Sequence, residues 1–348
     1  MMEDFLDVAS DLLRAGSVKD KQSEFERVFA AIGALQAVHS KAQLDLTNIE
    51  SIFTALELGN IIQKFPGLAV EEIPLTISAL KELIVKTLEV RIPFPTRKSY
   101  IGAPPPYDGF AELVKHLRAG AFPTHSVSVI TFNYDVAVDI ALFRAGLGPD
   151  YVIERPPQSR DVVQLMKLHG SLNWASQTET KTIRPLHLVN YFQKYSIMGF
   201  EEHGETIVPF GVHLQEYFGT SEKVEVNKEP VIVPPSWNKA DYHQALSNVW
   251  AAAAKNLSEA QYVFVIGYSL PQTDSFFRHL YALGSVGSAP LRKLIVYNPD
   301  TTAGVDNRFK ALLGPGAVSR YEYRPVKFPD AIDEIRQLFP SRNPGTQY

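Results

Sequence analysis

From about residue 126 onward the chain alternates short apolar runs with helical stretches, and four of those runs close on a polar signature. VSVI leads into TFNYD at 131–135 and VVQLM into KLHGSLNW at 167–174. YVFV leads into IGYSL at 266–270, and KLIV into IVYNPD at 295–300. Strands separated by helices suit a parallel sheet, because two parallel strands need a long crossover connection. The expected fold is α/β, a Rossmann-like doubly wound parallel sheet with a large N-terminal helical region and an irregular insertion. Ligands of such sheets bind outside the carboxyl ends of the strands, so the residues closing each run are the candidate site.

Strands are expected at 127–132, 162–168, 261–266 and 293–298, with a last one near 319–323 and a short one at 151–153. Helices are expected at about 136–145, stopped by Gly146, at 240–257 and at 275–283. Residues 1–120 read as helices without a strand: Phe25, Val28, Phe29, Ile32 and Leu35 recur at helical spacing, and so do Ile49, Ile52, Phe53 and Leu56. The prolines of IPFPTRK and GAPPPYDG break that pattern. The expected organisation is a helical region at 1–120, acting as a cap or an oligomerisation surface, then a core at 121–335 with an irregular insertion at 175–230. A flexible tail follows at 336–348.

Composition narrows the chemistry. The chain has 348 residues, of which 45% are hydrophobic, enough for a substantial core, and no cysteine, which excludes disulfides, thiolate catalysis and cysteine-ligated zinc. Nine histidines show no HExxH or comparable spacing, so no metal is expected. A formal net charge of −4 gives no electrostatic case for nucleic acid. No apolar stretch approaches the ~20 residues of a membrane span, and a cytoplasmic protein is expected.

Each signature residue has a functional and a structural reading. Asn133 can orient a ribose hydroxyl or a water, with Asp135 positioning it, although Asn and Asp at a strand-to-helix turn are also ordinary N-caps. His169 stands at a strand's carboxyl end, and an imidazole with an unperturbed pKa near 6.5 can take a proton at neutral pH. Gly170 beside it allows close approach. Gly267 and Ser269 offer backbone N–H groups and a hydroxyl suited to phosphate. Asn298 suits a ribose, or merely an Asx turn. Trp237, in the PPSWNK loop, is either a wall over the site or a core anchor, and Asp274 reads as an N-cap. His187, His203 and His213 read as surface residues.

In order, these segments resemble the sirtuin family, specifically its sirtuin-like prokaryotic branch. TFNYD resembles the segment whose Thr131, Asn133 and Asp135 would line a nicotinamide–ribose pocket. KLHGS resembles the segment carrying the catalytic histidine, here His169 beside Gly170. IGYSL resembles the phosphate-and-ribose loop, giving Gly267 and Ser269, and YNPD the strand end whose Asn298 binds the adenosine ribose. The resemblance covers about residues 126–300 and implies NAD as a substrate.

Two departures shape the expectation. The family's zinc module needs four cysteines, so protein deacetylation loses support and water becomes the expected acceptor. The family's first strand and its G-A-G-x-S phosphate loop have no counterpart. In a doubly wound sheet that first strand is central, so its loss would leave two inner strands with unsatisfied backbone. The expectation is that the coding frame begins upstream or that another segment supplies the strand. The expected function is hydrolysis of NAD to nicotinamide and ADP-ribose in antiphage defence, with a homo-oligomer or partner protein restraining it. The alternatives are a non-catalytic NAD- or ADP-ribose-binding scaffold, and a deacylase or ADP-ribosyl transferase.

Overall fold

The computed structural model describes residues 5–37, 44–97, 100–119, 127–153, 162–189, 192, 204–233, 240–271, 275–284, 287 and 289–340. Trp237, Asn238, Asp274 and His203 lie outside them. The chain divides into two compact units. The first comprises Met1–Ile101, Phe132–Val136 and His169–Ala245; the second comprises Gly102–Thr131, Ala137–Leu168 and Leu246–Tyr348.

In the first unit α1 (Phe5–Arg14), α2 (Gln22–Gln36) and α3 (Ile49–Ile61) pack on α4 (Glu72–Arg91). The apolar spacing read from the sequence becomes this core, with Phe25, Val28, Ile52, Phe53, Leu80 and Leu83 buried. Asn48 caps α3, its side chain accepting from the Glu50 N–H at 2.9 Å. Lys21–Glu82 and Lys86–Asp20 ion pairs, at 3.0 and 2.7 Å, tie α4 to the segment before α2.

Two expectations for this region are corrected. The proline-rich break holds strands, β1 (Phe94–Arg97) and β2 (Tyr100–Ile101), in an antiparallel sheet of order β2-β1-β8 with β8 at Gly204–Thr206. Pro95 holds Phe94 extended, and burial of Phe94 and Thr96 gives the period-two pattern of a strand. The insertion is likewise ordered in part. β6 (Trp174–Ser176) pairs with β7 (Ile183–Pro185), and α7 (Phe210–Tyr217) follows β8. Trp174, Ile183 and Phe210 are buried, so its aromatics serve a core. His187 is exposed; His213 is half-buried, 3.6 Å from Glu216.

The second unit is the parallel α/β part. β3 (Val129–Thr131), β5 (Val162–Lys167) and β4 (Gly148–Asp150) form one parallel ladder of order β3-β5-β4. β9 (Tyr262–Ile266), β10 (Lys293–Tyr297) and β11 (Tyr321–Arg324) form another, of order β9-β10-β11. The short strand expected at 151–153 is β4, three residues earlier, and Val152 instead takes a left-handed φ of 55°.

Helices cover both faces. α5 (Tyr107–Arg118), α6 (Ala137–Arg144) and α9 (Phe328–Leu338) take one; α8 (Ala240–Glu259) takes the other. Lys167 of β5 reaches Asp139 on α6, whereas Gln164, of opposite parity, accepts from Asn256 on α8 at 2.8 Å. Leu113 of α5 and Ile332 and Ile335 of α9 bury Ile295 and Tyr297 of β10, with Phe264 and Ile266 of β9 packed alongside. This is the doubly wound arrangement the alternation implied.

Contacts of α5 fix the direction of the β9-β10-β11 ladder and place the start of β5. At its carboxyl end Arg118 donates to the carbonyl of Val162, where β5 begins. Nearby, His116 Nε2 donates to the Phe339 carbonyl at 2.6 Å, and the Phe339 ring meets Tyr262, where β9 begins, at 5.1 Å. At its other end Tyr107 and Phe110 meet Phe328, which follows β11. The strands of the β9-β10-β11 ladder run antiparallel to α5, and β5 begins beside the carboxyl end of the same helix.

Candidate functional site

Four of the expected strand ends are therefore realised in the second unit: Thr131 ends β3, Leu168 follows β5, Gly267 follows β9 and Asn298 follows β10. The chain passes into the first unit directly after Thr131 and again directly after Leu168. Asn133, Asp135, His169 and Gly170 thus belong to the first unit; Gly267, Ser269 and Asn298 belong to the second.

Around His169 the first unit is tightly built. The imidazole is buried, 5% exposed, with its ring edge-on to Phe132 at 5.1 Å and tilted against Tyr134 at 6.2 Å. Its carbonyl accepts from Val233 N–H at 2.7 Å, and Tyr134 Oη donates to the Val233 carbonyl at 2.8 Å. Gly170 adopts φ +85°, and a β-carbon there would fall 2.1 Å from the Val231 carbonyl oxygen. The close approach that Gly170 permits is made by the protein's own backbone, which accepts from Ser171 N–H at 2.8 Å. Ser171 Oγ donates to Asn173 Oδ1 at 2.6 Å, and Asn173 Nδ2 donates to the Leu186 carbonyl at 3.0 Å. Asn133 is exposed and Asp135 half-buried. Backbone hydrogen bonds hold the chain at His169, and the Phe132 and Tyr134 rings flank its imidazole.

In the second unit the loop after β9 is open. Gly267 takes φ +73° with no heavy atom within 4 Å of a would-be β-carbon, and its N–H is spent on the Tyr297 carbonyl at 2.8 Å. The Ser269 carbonyl accepts from Arg308 Nε at 2.9 Å, which brings a guanidinium to this loop. Asn298 is buried, and its Oδ1 accepts from Asp300 N–H at 3.0 Å, forming an Asx turn. Only its amide NH2 is left to donate to a ligand. Asp300 in turn accepts from Thr302 and from Val305 N–H, and these hydrogen bonds hold its carboxyl down at about 2. Tyr323 Oη, donating near the Asn298 and Asp300 carbonyls, pins the same turn.

Three neighbours of the candidate residues escaped the sequence reading. Lys167, one residue before Leu168, forms a fully buried ion pair with Asp139 at 3.0 Å, and Tyr151 Oη donates to the same carboxylate at 2.7 Å. The available signal was a lysine inside an apolar run. The second is Trp250 of α8, whose Nε1 donates to the Leu168 carbonyl at 3.1 Å and fixes the peptide leading into His169. Arg308 was also missed, since its place beside Ser269 is set by a helix 39 residues away.

Among the described residues no group of three or more histidines and carboxylates could hold a metal ion. No helix among them is long and apolar enough to cross a membrane.

No family model and no curated protein matches the chain. Solved structures similar to it include a Sir2 homologue in complex with NAD, at 15% identity and TM-score 0.37, covering 79% of this chain and 80% of that one. A structure described as the basis for the mechanism and regulation of Sir2 enzymes matches at 13% identity and TM-score 0.35, covering 77% and 78%. Similarity this low assigns neither a residue nor an activity to the chain.

Proposed function

We propose that the protein is a sirtuin-like NAD glycohydrolase that splits the nicotinamide–ribose bond of NAD, giving nicotinamide and ADP-ribose. The observation that carries the reading is the order of the four signatures. They close β3, β5, β9 and β10, and in each ladder the two strands are parallel, so their carboxyl ends lie side by side. In this reading Asn298 and the Gly267–Ser269 loop take the adenosine ribose and phosphates, with Arg308 adding positive charge. Thr131, Asn133 and Asp135 take the nicotinamide ribose. The C–N bond breaks with its electron pair leaving on nicotinamide, and a ribosyl cation develops. Asn133 holds the attacking water, whose oxygen bonds the anomeric carbon, and His169 takes its proton. Gly170 contributes by letting Val231 hold His169 in place. In the prokaryotic branch that the segments resemble, such NAD depletion serves antiphage defence; we extend that role to this protein, with an oligomer or partner restraining it.

One observation favours a second reading, a non-catalytic NAD-binding scaffold: Asn298, Asp300 and Gly170 each already have a structural task. Turnover of NAD by the purified protein, followed by chromatography of nicotinamide and ADP-ribose, separates the two. His169→Gln and the exposed-site variant Asn133→Ala should lose at least ~100-fold while keeping the far-UV dichroism of the parent. Equal, near-zero turnover by parent and variants, with NAD still bound, would favour the scaffold; product only with an added acceptor would mark a transferase.

A further inference from the structure

Helix α4 of the first unit carries two stripes. Ile73, Leu80, Leu83 and Ile84 form the buried apolar one. Turned away from it, at the three- and four-residue spacing of one helical face, stand Ser78, Lys81, Val85 and Glu89. Three of these four are polar, and each meets the chain between α7 and residue 230. Ser78 Oγ donates to the Glu229 carboxylate, and Lys81 Nζ lies 3.9 Å from the same group. Glu89 accepts from the Gly211 N–H of α7 at 2.9 Å. Gly211 also lies between Val85 and Pro230, since a β-carbon there would touch both at 3.7 Å.

From this contact residues 225–233 run as a strap along the chain that follows His169. Thr178 N–H donates to the Glu225 carbonyl at 3.0 Å, and Asn227 N–H to the Ser176 carbonyl at 2.8 Å. Val231 N–H donates to the Trp174 carbonyl, and its own carbonyl accepts from Ser171 N–H, both at 2.8 Å. Val233, four residues past Glu229, then does two things. Its N–H donates to the His169 carbonyl at 2.7 Å, and its carbonyl accepts from the Tyr134 hydroxyl at 2.8 Å. The Tyr134 ring in turn lies against the imidazole. All of these residues belong to the first unit.

We infer that α4 places His169 through this strap. Ser78 and Lys81 hold Glu229, Glu229 fixes the strap, and the strap fixes the His169 backbone and the Tyr134 ring beside its imidazole. Glu229 is thus a positioning residue for His169, acting through residues 230–233. A carboxylate suits the task because it meets a hydroxyl and an ammonium group together. Hydrogen bonds are directional, so they set the register of the strap where an apolar contact would let it slide. The consequence for turnover rests on His169 acting as the base of the proposed hydrolysis; the placement itself does not.

Amide exchange on the whole protein, followed by NMR, reads the placement without substrate. Glu229→Ala should speed exchange of the Ser171 and Val233 amides at least ~10-fold and shift the His169 ring-proton signal, while the Ile52 and Leu80 amides keep their rates. Glu229→Gln keeps an acceptor for Ser78 and should stay within ~2-fold of the parent. Ser78→Ala should reproduce the Glu229→Ala pattern, and the two changes together should add less than their separate effects. Val28→Ala, on the buried face of α2, controls for general loosening and should leave the Ser171 and Val233 rates within ~2-fold. With NAD, Glu229→Ala should lower kcat at least ~10-fold and leave KM within ~2-fold. Three results would overturn the inference: unchanged Ser171 and Val233 exchange in both Glu229→Ala and Ser78→Ala, the same acceleration in Val28→Ala, or an active parent whose kcat Glu229→Ala leaves intact. A parent without turnover whose Glu229→Ala variant still shows the exchange pattern and the His169 shift would uphold the placement and remove the proposed hydrolysis instead.

Discussion

The Val231 carbonyl oxygen sits 2.1 Å from where a β-carbon on Gly170 would lie, and Gly170 itself holds φ +85°. The residue after His169 must therefore be glycine for this backbone to close. Gly170→Ala should cost about 3 kcal/mol from the overlap and the left-handed backbone together. Urea unfolding of the variant checks this; a loss under ~0.5 kcal/mol would mean that Val231 yields easily.

Lys167 and Asp139 are each 1% exposed, and breaking a buried pair by removing one partner is costly. Asp139→Ala or Lys167→Ala should each lose about 3–5 kcal/mol. Joint replacement by Leu at 139 and Met at 167 should cost less than either, since no buried charge is stranded. Parallel denaturation curves decide it, with the double variant as the informative one.

Glu89 of α4 is buried, and loss of hydration pushes its carboxyl up to about 7, against the pull of the Gly211 N–H at 2.9 Å. Between ~4.5 and ~7 the folded protein keeps a proton that the unfolded chain releases, so stability falls as pH rises through that window. The full penalty, at most about 3 kcal/mol, is present above pH ~7. Glu89→Gln keeps an acceptor for Gly211, so it should match the parent at pH 4 and exceed it at pH 8. Melting curves that stay parallel across that range would contradict this.

Tyr134 joins the two segments that enclose His169, donating to the Val233 carbonyl at 2.8 Å. Tyr134→Phe leaves that ring beside the imidazole and removes one hydrogen bond, a loss of about 1 kcal/mol. Its effect on NAD turnover should exceed its effect on Tm, because His169 loses a fixed wall. Unchanged turnover in a destabilised variant would make the bond purely structural.

Much of the core was legible in the sequence because parallel strands are buried on both faces and read as apolar runs. YVFV and KLIV became β9 and β10 within one residue of the expected ends. β1 was not legible: prolines argue against strands, and only pairing with β8, over a hundred residues later, makes Phe94–Arg97 one. For the candidate site, chain position singled out Asn298 and His169, but not what surrounds them. Arg308 and Trp250 come from helices distant in sequence, and no local pattern announces a contact of that kind. The Asx turn at Asn298 was read from YNPD alone, since turn chemistry is local.

Each unit is assembled from three separate stretches of the chain, so the polypeptide changes unit five times between its ends. Neither unit is a stretch of gene that a single cut could excise or a single crossover could exchange. Variation in one must be inherited alongside the other, and shortened forms of this protein would be expected to lose both together.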